Sequence, residues 1–403
     1  MHIVCRMRCC RCRRAAKLAA VAALPALLLS TLTAPAAHAA EGDPVSLPVL
    51  RLRVGDDGCT GASATSAETR PWTWQALQLS RSWQLSRGAG VTVGVVDTGV
   101  GGSAPALRGR VTAVGGAGED CVGHGSFVAG LIAGAPTGEY GVVAGVAPSA
   151  RVLAVRGTDQ QGSPSAELIA QGIEAVVGGG ADVVYVGQVV AGDSGGRIAG
   201  AVAHASAKDV LVVAPAAPDT APEGADGTSD TRARAYFPAR VPEVLSVVDY
   251  GPDGGRPEGA PSALDPDLAA PGDAVVGIGP RGTGHFLGSG SSLAAAHVAG
   301  AAALIRSYQP DLSAVEVSRR LVEAGYPDAV ARLDTYAGLT AVLATAGAAE
   351  PGAAAVHVAP SASSRIRFRT LLIAGGGLAV VLLVAAAMAV VPRGNARKWR
   401  AAG

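Results

Sequence analysis

The chain has 403 residues, 49% hydrophobic and only 4% aromatic, and its 33 Lys and Arg against 32 Asp and Glu leave a formal net charge of +1. That near-balance excludes a protein built around nucleic-acid phosphates, and the sequence carries no basic patch, no phosphate-binding glycine loop and no internal repeat. Nothing in its residue pattern calls for a metal or a cofactor.

In chain order, Arg6, Arg8, Arg11, Arg13, Arg14 and Lys17 precede an apolar run at 18–32, and Ala37-His38-Ala39 follows as a small-x-small cleavage site. Residues 1–39 therefore read as a secretory signal peptide. Cys5, Cys9, Cys10 and Cys12 fall inside it, where a basic segment due for removal makes a zinc site a poor reading. Cys59 and Cys121 remain, and in an oxidising compartment two lone cysteines most simply form one disulfide. The extension at 40–84 carries Trp72, Trp74 and Trp83. It reads either as a removable propeptide or as a retained wrap, and a disulfide favours retention because cleavage alone would not release it.

Residues 85–347 read as one α/β domain. Strand-like runs at 91–96, 152–155, 182–186, 210–213 and 244–248 alternate with helical stretches at 165–177 and 198–207. A core of about 260 residues is ample for burial. Ser313 and Glu316 form a capping box, with Leu312 and Val317 as its staple and Gly325 closing that helix. Residues 348–369 turn to Ala, Gly, Pro and Ser and read as a tether. The stretch 370–391 is apolar and long enough to cross hydrocarbon as one transmembrane helix. Arg393, Arg397, Lys398 and Arg400 follow in the tail at 392–403, which predicts a cytoplasmic tail and an extracytoplasmic domain. Arg365, Arg367 and Arg369 on the other flank weaken that asymmetry.

Three segments carry chemistry. A buried parallel strand delivers Asp97 at its C-terminal end, where open α/β sheets collect ligands and reacting groups. In Gly123-His124-Gly125 a histidine between glycines opens an apolar helix. In Gly290-Ser291-Ser292 a hydroxyl sits at the start of a small-residue helix, whose free N–H groups and dipole suit an oxyanion. Ser289 and Ser291 compete with Ser292 by composition, while His285 and His297 read as local polar or packing residues.

Asp, His and Ser in that order resemble the subtilisin (S8) family of serine proteases, and so do Gly145-Val146-Ala147-Pro148, Ala269-Ala270-Pro271-Gly272 and Tyr236-Phe237-Pro238-Ala239. The chain's two ends narrow the resemblance to the mycosins, membrane-anchored proteases of type VII secretion systems. The resemblance implies a subtilisin-like three-layer fold around a mostly parallel sheet. It implies a triad of Asp97, His124 and Ser292, a protein or peptide substrate, and a type VII secretion membrane complex as partner. It also implies an extension pinned beside the active site by the disulfide. Two departures stand out. The position of the family's oxyanion asparagine is held by Pro218, and the chain's only asparagine is Asn395. Asp219 either substitutes as a neutral acid, favouring acidic pH, or is an exposed loop residue. The substrate-pairing strand carries Gly187 and Gln188, which alters the specificity-pocket wall; Ser291 and Ala296 replace the family's threonine and proline. The expected function is thus a membrane-anchored endopeptidase with a weakened oxyanion hole. The alternative is a low-activity or inactive scaffold subunit; a degradative exported protease fits the anchor and tether less well.

Overall fold

The computed structural model describes residues 46–55, 58–136, 141–192, 195–223, 227–343 and 362–396, with side chains in the last stretch described at 369–393. The expected signal peptide with its four cysteines, the linker at 348–361 and the end of the tail lie outside the described residues. The described residues fall into two units, one ending at Leu343 and one beginning after it.

In the first unit seven strands form one parallel sheet. These are β1 (Thr92–Asp97), β2 (Val111–Ala113), β3 (Arg151–Arg156), β4 (Val183–Val186), β6 (Leu211–Pro215), β8 (Val244–Tyr250) and β9 (Leu268–Pro271), in the spatial order β2-β3-β1-β4-β6-β8-β9. The central strands are near-continuous runs of Val, Leu and Ala because helices cover both faces, so neither face needs polar residues. Two short antiparallel ribbons complete the strands: β5 (Val190–Ala191) with β7 (Tyr236–Phe237), and β10 (Val275–Ile278) with β11 (His285–Gly288).

On one face lie α3 (His124–Ala133) and α6 (Ser291–Tyr308); on the other lie α4 (Ala166–Gly178) and α5 (Gly195–Ala207). Every residue of α6 from Ser291 to Ile305 is buried, which explains its lack of a polar stripe. After β1 the chain builds β2 and β3 on one side, then crosses to β4 on the other. The strand order therefore reverses between β1 and β4, and the carboxyl ends of strands at such a switch point are where these sheets bind ligands. Two short helices, α1 (Trp72–Ala76) and α2 (Leu79–Ser82), precede the sheet; α7 (Ala314–Glu323) and α8 (Thr335–Thr340) follow it. The expected capping box is present on α7: Glu316 N–H donates to Ser313 Oγ, and Ser313 N–H donates to Glu316 Oε2.

The extension is stitched to the core. Leu50 N–H donates to the Leu287 carbonyl at 2.7 Å, and Leu287 N–H to the Pro48 carbonyl at 2.9 Å, which adds an edge to β11. Four residues on, Val54 N–H donates to the Gln161 carbonyl at 3.1 Å, and Thr60 N–H to the Cys121 carbonyl at 2.8 Å. The indole N–H of Trp72 reaches the Asp273 and Ala274 carbonyls, and that of Trp83 the Val146 carbonyl. Cys59 and Cys121 are disulfide-bonded, closing a separation of 62 residues. A loop of that length corresponds to about 4 kcal/mol of unfolded-state entropy. The Cys59→Ser, Cys121→Ser chain is therefore expected to lose about 2–4 kcal/mol and to melt on the order of 5–10 °C lower by calorimetry. An unchanged midpoint would mean that the extension is held without the bond.

In the second unit α9 (Ala362–Ala396) contains a 25-residue apolar stretch, Arg369–Arg393, within which an 18-residue window reaches a mean hydropathy of 2.5. Its length of about 37 Å exceeds the roughly 30 Å of hydrocarbon, so it is a candidate transmembrane span. The helix begins inside the stretch expected as tether, because neither Gly nor Pro interrupts residues 362–374.

Candidate active site

Asp97 ends β1, His124 opens α3 and Ser292 lies in the first turn of α6. The fold brings the three side chains into one hydrogen-bonded chain. His124 Nδ1 lies 2.8 Å from Asp97 Oδ1 and 2.9 Å from Oδ2, and His124 Nε2 lies 2.9 Å from Ser292 Oγ. With Nδ1–H donating to the carboxylate, Nε2 is the ring nitrogen that faces Ser292 Oγ. The competing serines are otherwise engaged: Ser291 Oγ donates to Asp249 Oδ1 and Ser289 Oγ to Asp273 Oδ1. His297 Nδ1–H donates to the Pro271 carbonyl, and burial pulls this imidazole down to a pKa of about 4, so it stays neutral. His285 Nδ1 accepts from Ala67 N–H, tying β11 to the extension.

Asp97 has little room to move. Its Oδ1 accepts from Thr98 N–H at 2.7 Å, and Gly187 presses against its other oxygen. A Cβ added at Gly187 would stand 1.6 Å from Asp97 Oδ2, so glycine is required there by close approach. Gly187 thus lies just past β4, beneath the carboxylate, with partly buried Gln188 beside it. The Tyr185 hydroxyl donates to the Ser292 carbonyl at 3.2 Å. Burial, reinforced by the Asp97 and Asp219 carboxylates, holds its pKa well above the usual value, so it remains a neutral donor.

Sequence reasoning did not single out Asp120. This buried carboxylate accepts from the Thr98 and Ser126 hydroxyls and from the N–H groups of Gly123 and Ser126, all within 2.7–2.8 Å. Burial nonetheless raises its pKa, against those hydrogen bonds. It fixes the turn that presents His124, and the neighbouring Cys121 links that turn to the extension. Its spacing four residues before the histidine was the available signal.

The oxyanion region differs from the simple expectation. Pro218, which has no side-chain donor, lines a cavity beside the site, whereas Asp219, whose side chain is only 6% exposed, reaches in from the loop after β6. Its Oδ1 accepts from Ser292 N–H at 2.8 Å and its Oδ2 from Ser292 Oγ at 2.6 Å; Oδ2 also lies 3.4 Å from His124 Nε2. It is not an exposed loop aspartate. Gly290 makes room for it, since a Cβ there would lie 2.1 Å from Asp219 Cγ. Desolvation lowers the His124 pKa, but the Asp97 and Asp219 carboxylates more than offset this and raise it to about 10. Asp97, His124 and Ser292 are all 0% exposed, so a substrate carbonyl reaches Ser292 only if Asp219 yields.

A serine hydroxyl, an imidazole and a buried carboxylate so aligned, at the switch point of a parallel sheet, have the geometry in which a serine can act as a nucleophile. The subtilase family model of peptidases matches residues 88–363, and the chain belongs to that family. Within it the chain is of the mycosin type. It is 30% identical over 350 residues to Mycosin-4 of Mycobacterium tuberculosis, spanning 73% of this chain and 75% of that one. An intracellular serine protease of Paenibacillus polymyxa is 32% identical over 271 residues, 63% of this chain and 79% of its own. Among solved structures, the MycP3 protease of the type VII (ESX-3) secretion system superposes with a TM-score of 0.61 at 28% identity, over 74% of this chain and 95% of that one. MycP1 with its N-terminal propeptide removed superposes with a TM-score of 0.58 at 27% identity, over 68% and 98%.

Proposed function

We propose that this protein is a membrane-anchored serine endopeptidase that hydrolyses peptide bonds at a type VII secretion membrane complex. Ser292 Oγ attacks the carbonyl, His124 takes its proton and returns it to the leaving amine, and Asp97 orients the imidazole and stabilises its cation. The observation that carries the reading is the unbroken contact from Asp97 through His124 to Ser292 Oγ. Association with the secretion complex rests on the likeness to Mycosin-4 and to the MycP3 protease of a type VII system. Membrane attachment rests on the apolar span at Arg369–Arg393. The catalytic unit would face outward, with the basic residues after the span inside.

The full chain in detergent is expected to react with a fluorophosphonate probe, with the label mapped by mass spectrometry to the peptide containing Ser292. A folded chain left unlabelled from pH 5 to 10 would remove the enzyme reading. The second reading, a protease-fold scaffold of the same complex, is favoured by one observation, the Asp219 carboxyl lodged against the nucleophile.

A further inference from the structure

Asp219 stands where an oxyanion would form, yet it is oriented as an acceptor. One oxygen takes the Ser292 N–H and the other takes the Ser292 O–H, so the carboxylate satisfies the donor that a tetrahedral oxyanion would need. It also lies at the N-terminus of the 18-residue helix α6, whose dipole favours a negative charge there. In this arrangement a carbonyl cannot enter and His124 cannot act as a base, since its cation faces carboxylates on two sides. The same proton has a second resting place on Asp219. Were it there, the imidazole would be neutral and the aspartic acid would be a hydrogen-bond donor. The number of protons bound is the same in both forms.

We propose that His124 and Asp219 share one proton, and that its transfer to Asp219 converts the side chain from a plug in the oxyanion site into the donor that replaces the missing asparagine. This rests on the serine-protease reading of the site. In the closed form the proton is on His124 Nε2 and the carboxylate caps Ser292. As substrate enters, the proton moves to Asp219, and the carbonyl oxygen displaces the carboxyl from Ser292 N–H. Ser292 Oγ then forms its bond to the carbonyl carbon, the Oγ proton passes to His124 Nε2, and the carbonyl π pair moves onto oxygen. That oxyanion accepts from Ser292 N–H and from the Asp219 O–H. When the C–N bond breaks, its electron pair goes to nitrogen, which takes the proton from His124. Water repeats the sequence on the acyl-enzyme, with His124 as base, and regenerates Ser292 and both proton positions.

The surroundings allow such sharing. Across the pair stand Asp97 on β1 and the Tyr185 hydroxyl on β4, the first favouring charge on His124 and the second a neutral donor to the Ser292 carbonyl. On the far side Asp219 borders a 280 Å³ cavity that Asp249, Arg256 and Glu258 also line. Arg256 donates to Asp249 at 2.8 Å and is thereby neutralised. No hydrogen bond or ion pair to a cation other than His124 fixes the Asp219 carboxyl as an anion among the described residues. The cavity gives the carboxyl a place to swing when substrate arrives.

The test is the pH dependence of kcat/KM for the full chain in detergent, acting on a peptide substrate, with Asp219→Asn and Asp219→Ala alongside. Wild type should be bell-shaped: activity falls in acid when the pair binds a second proton, and in alkali, approaching pH 10, when the shared proton is lost and the plug is permanently charged. Asp219→Asn donates without ionising, so it should keep the acid limb, lose the alkaline limb and exceed wild type by at least about tenfold at pH 10. Asp219→Ala should lack the alkaline limb too but run about 10²–10³ below the asparagine variant, because the donor is gone. An alkaline fall that persists unchanged in Asp219→Asn would overturn the proposal, as would equal rates in the asparagine and alanine variants. If none of the three folded chains hydrolyses peptide or takes a fluorophosphonate label, the protease reading itself fails. Wild-type labelling with identical pH profiles fails only the shared proton.

Discussion

Chains carrying Ser292→Ala, His124→Ala or both are expected to fall to one common floor, on the order of 10⁴–10⁶ below wild type in kcat. The reason is that the hydroxyl and the imidazole form a single proton-transfer unit, with Oγ and Nε2 at 2.9 Å. Removing either end leaves the other without a partner, so the second substitution has nothing further to remove. What survives is binding and whatever oxyanion stabilisation the start of α6 supplies. Kinetics on a peptide substrate, with the double variant included, decide the matter. If the two losses multiply, the groups act independently and the proposed triad is wrong. Neither variant should unfold the protein. Ser292→Ala leaves its N–H to Asp219, and His124→Ala leaves the Asp120 network that builds the turn.

The parts of this site visible in the sequence are those set by local pattern. Val91 to Asp97 could be assigned to a central strand because burial on both faces leaves a β-branched run, and its aspartate falls at the carboxyl end by position alone. The histidine and serine turns were equally readable, each being a glycine-flanked polar residue ahead of an apolar helix. Pairing Cys59 with Cys121 required only that the other four cysteines all fall within the expected signal peptide, and the bond is present. What escaped is long-range. Asp219 and Ser292 are 73 residues apart, and nothing near Asp219 indicates that its loop folds back onto α6. Its place beside Pro218 offered two readings, a neutral-acid donor at the oxyanion position and an exposed loop residue, and local pattern had no means of choosing between them. β9 is four residues long and the ribbon of β10 and β11 is similarly short, too brief for periodicity to show. The path of the extension is set by a few backbone hydrogen bonds to Leu287, Gln161 and Cys121, which leave no mark on its composition.

Gly187→Ala is expected to lower kcat by about 10⁴ with little change in KM, although residue 187 carries no chemistry of its own. The methyl would lie 1.6 Å from Asp97 Oδ2, 2.8 Å from its Cγ and 2.9 Å from the Tyr185 hydroxyl. Something must shift, and the backbone is poorly placed to do so. Gly187 N–H donates to the Val96 carbonyl at 3.1 Å, immediately beyond the parallel pairing of Val96 with Val186. Asp97 is the softer partner, because its carboxylate can turn about its side-chain bonds. Turning it takes one oxygen off His124 Nδ1, and the imidazole loses both its orientation and the charge that stabilises its cation. The effect should therefore match that of Asp97→Asn, and adding Asp97→Asn to Gly187→Ala should cost almost nothing more. Thermal melting should report a folded chain, since the sheet pairing is untouched and the change is confined to one carboxylate. A Gly187→Ala enzyme within tenfold of wild type would mean that the methyl is accommodated by a strand movement that spares Asp97. The glycine would then serve β4 rather than the triad, and this substitution would report on sheet packing instead of on the geometry of the Asp97–His124 pair.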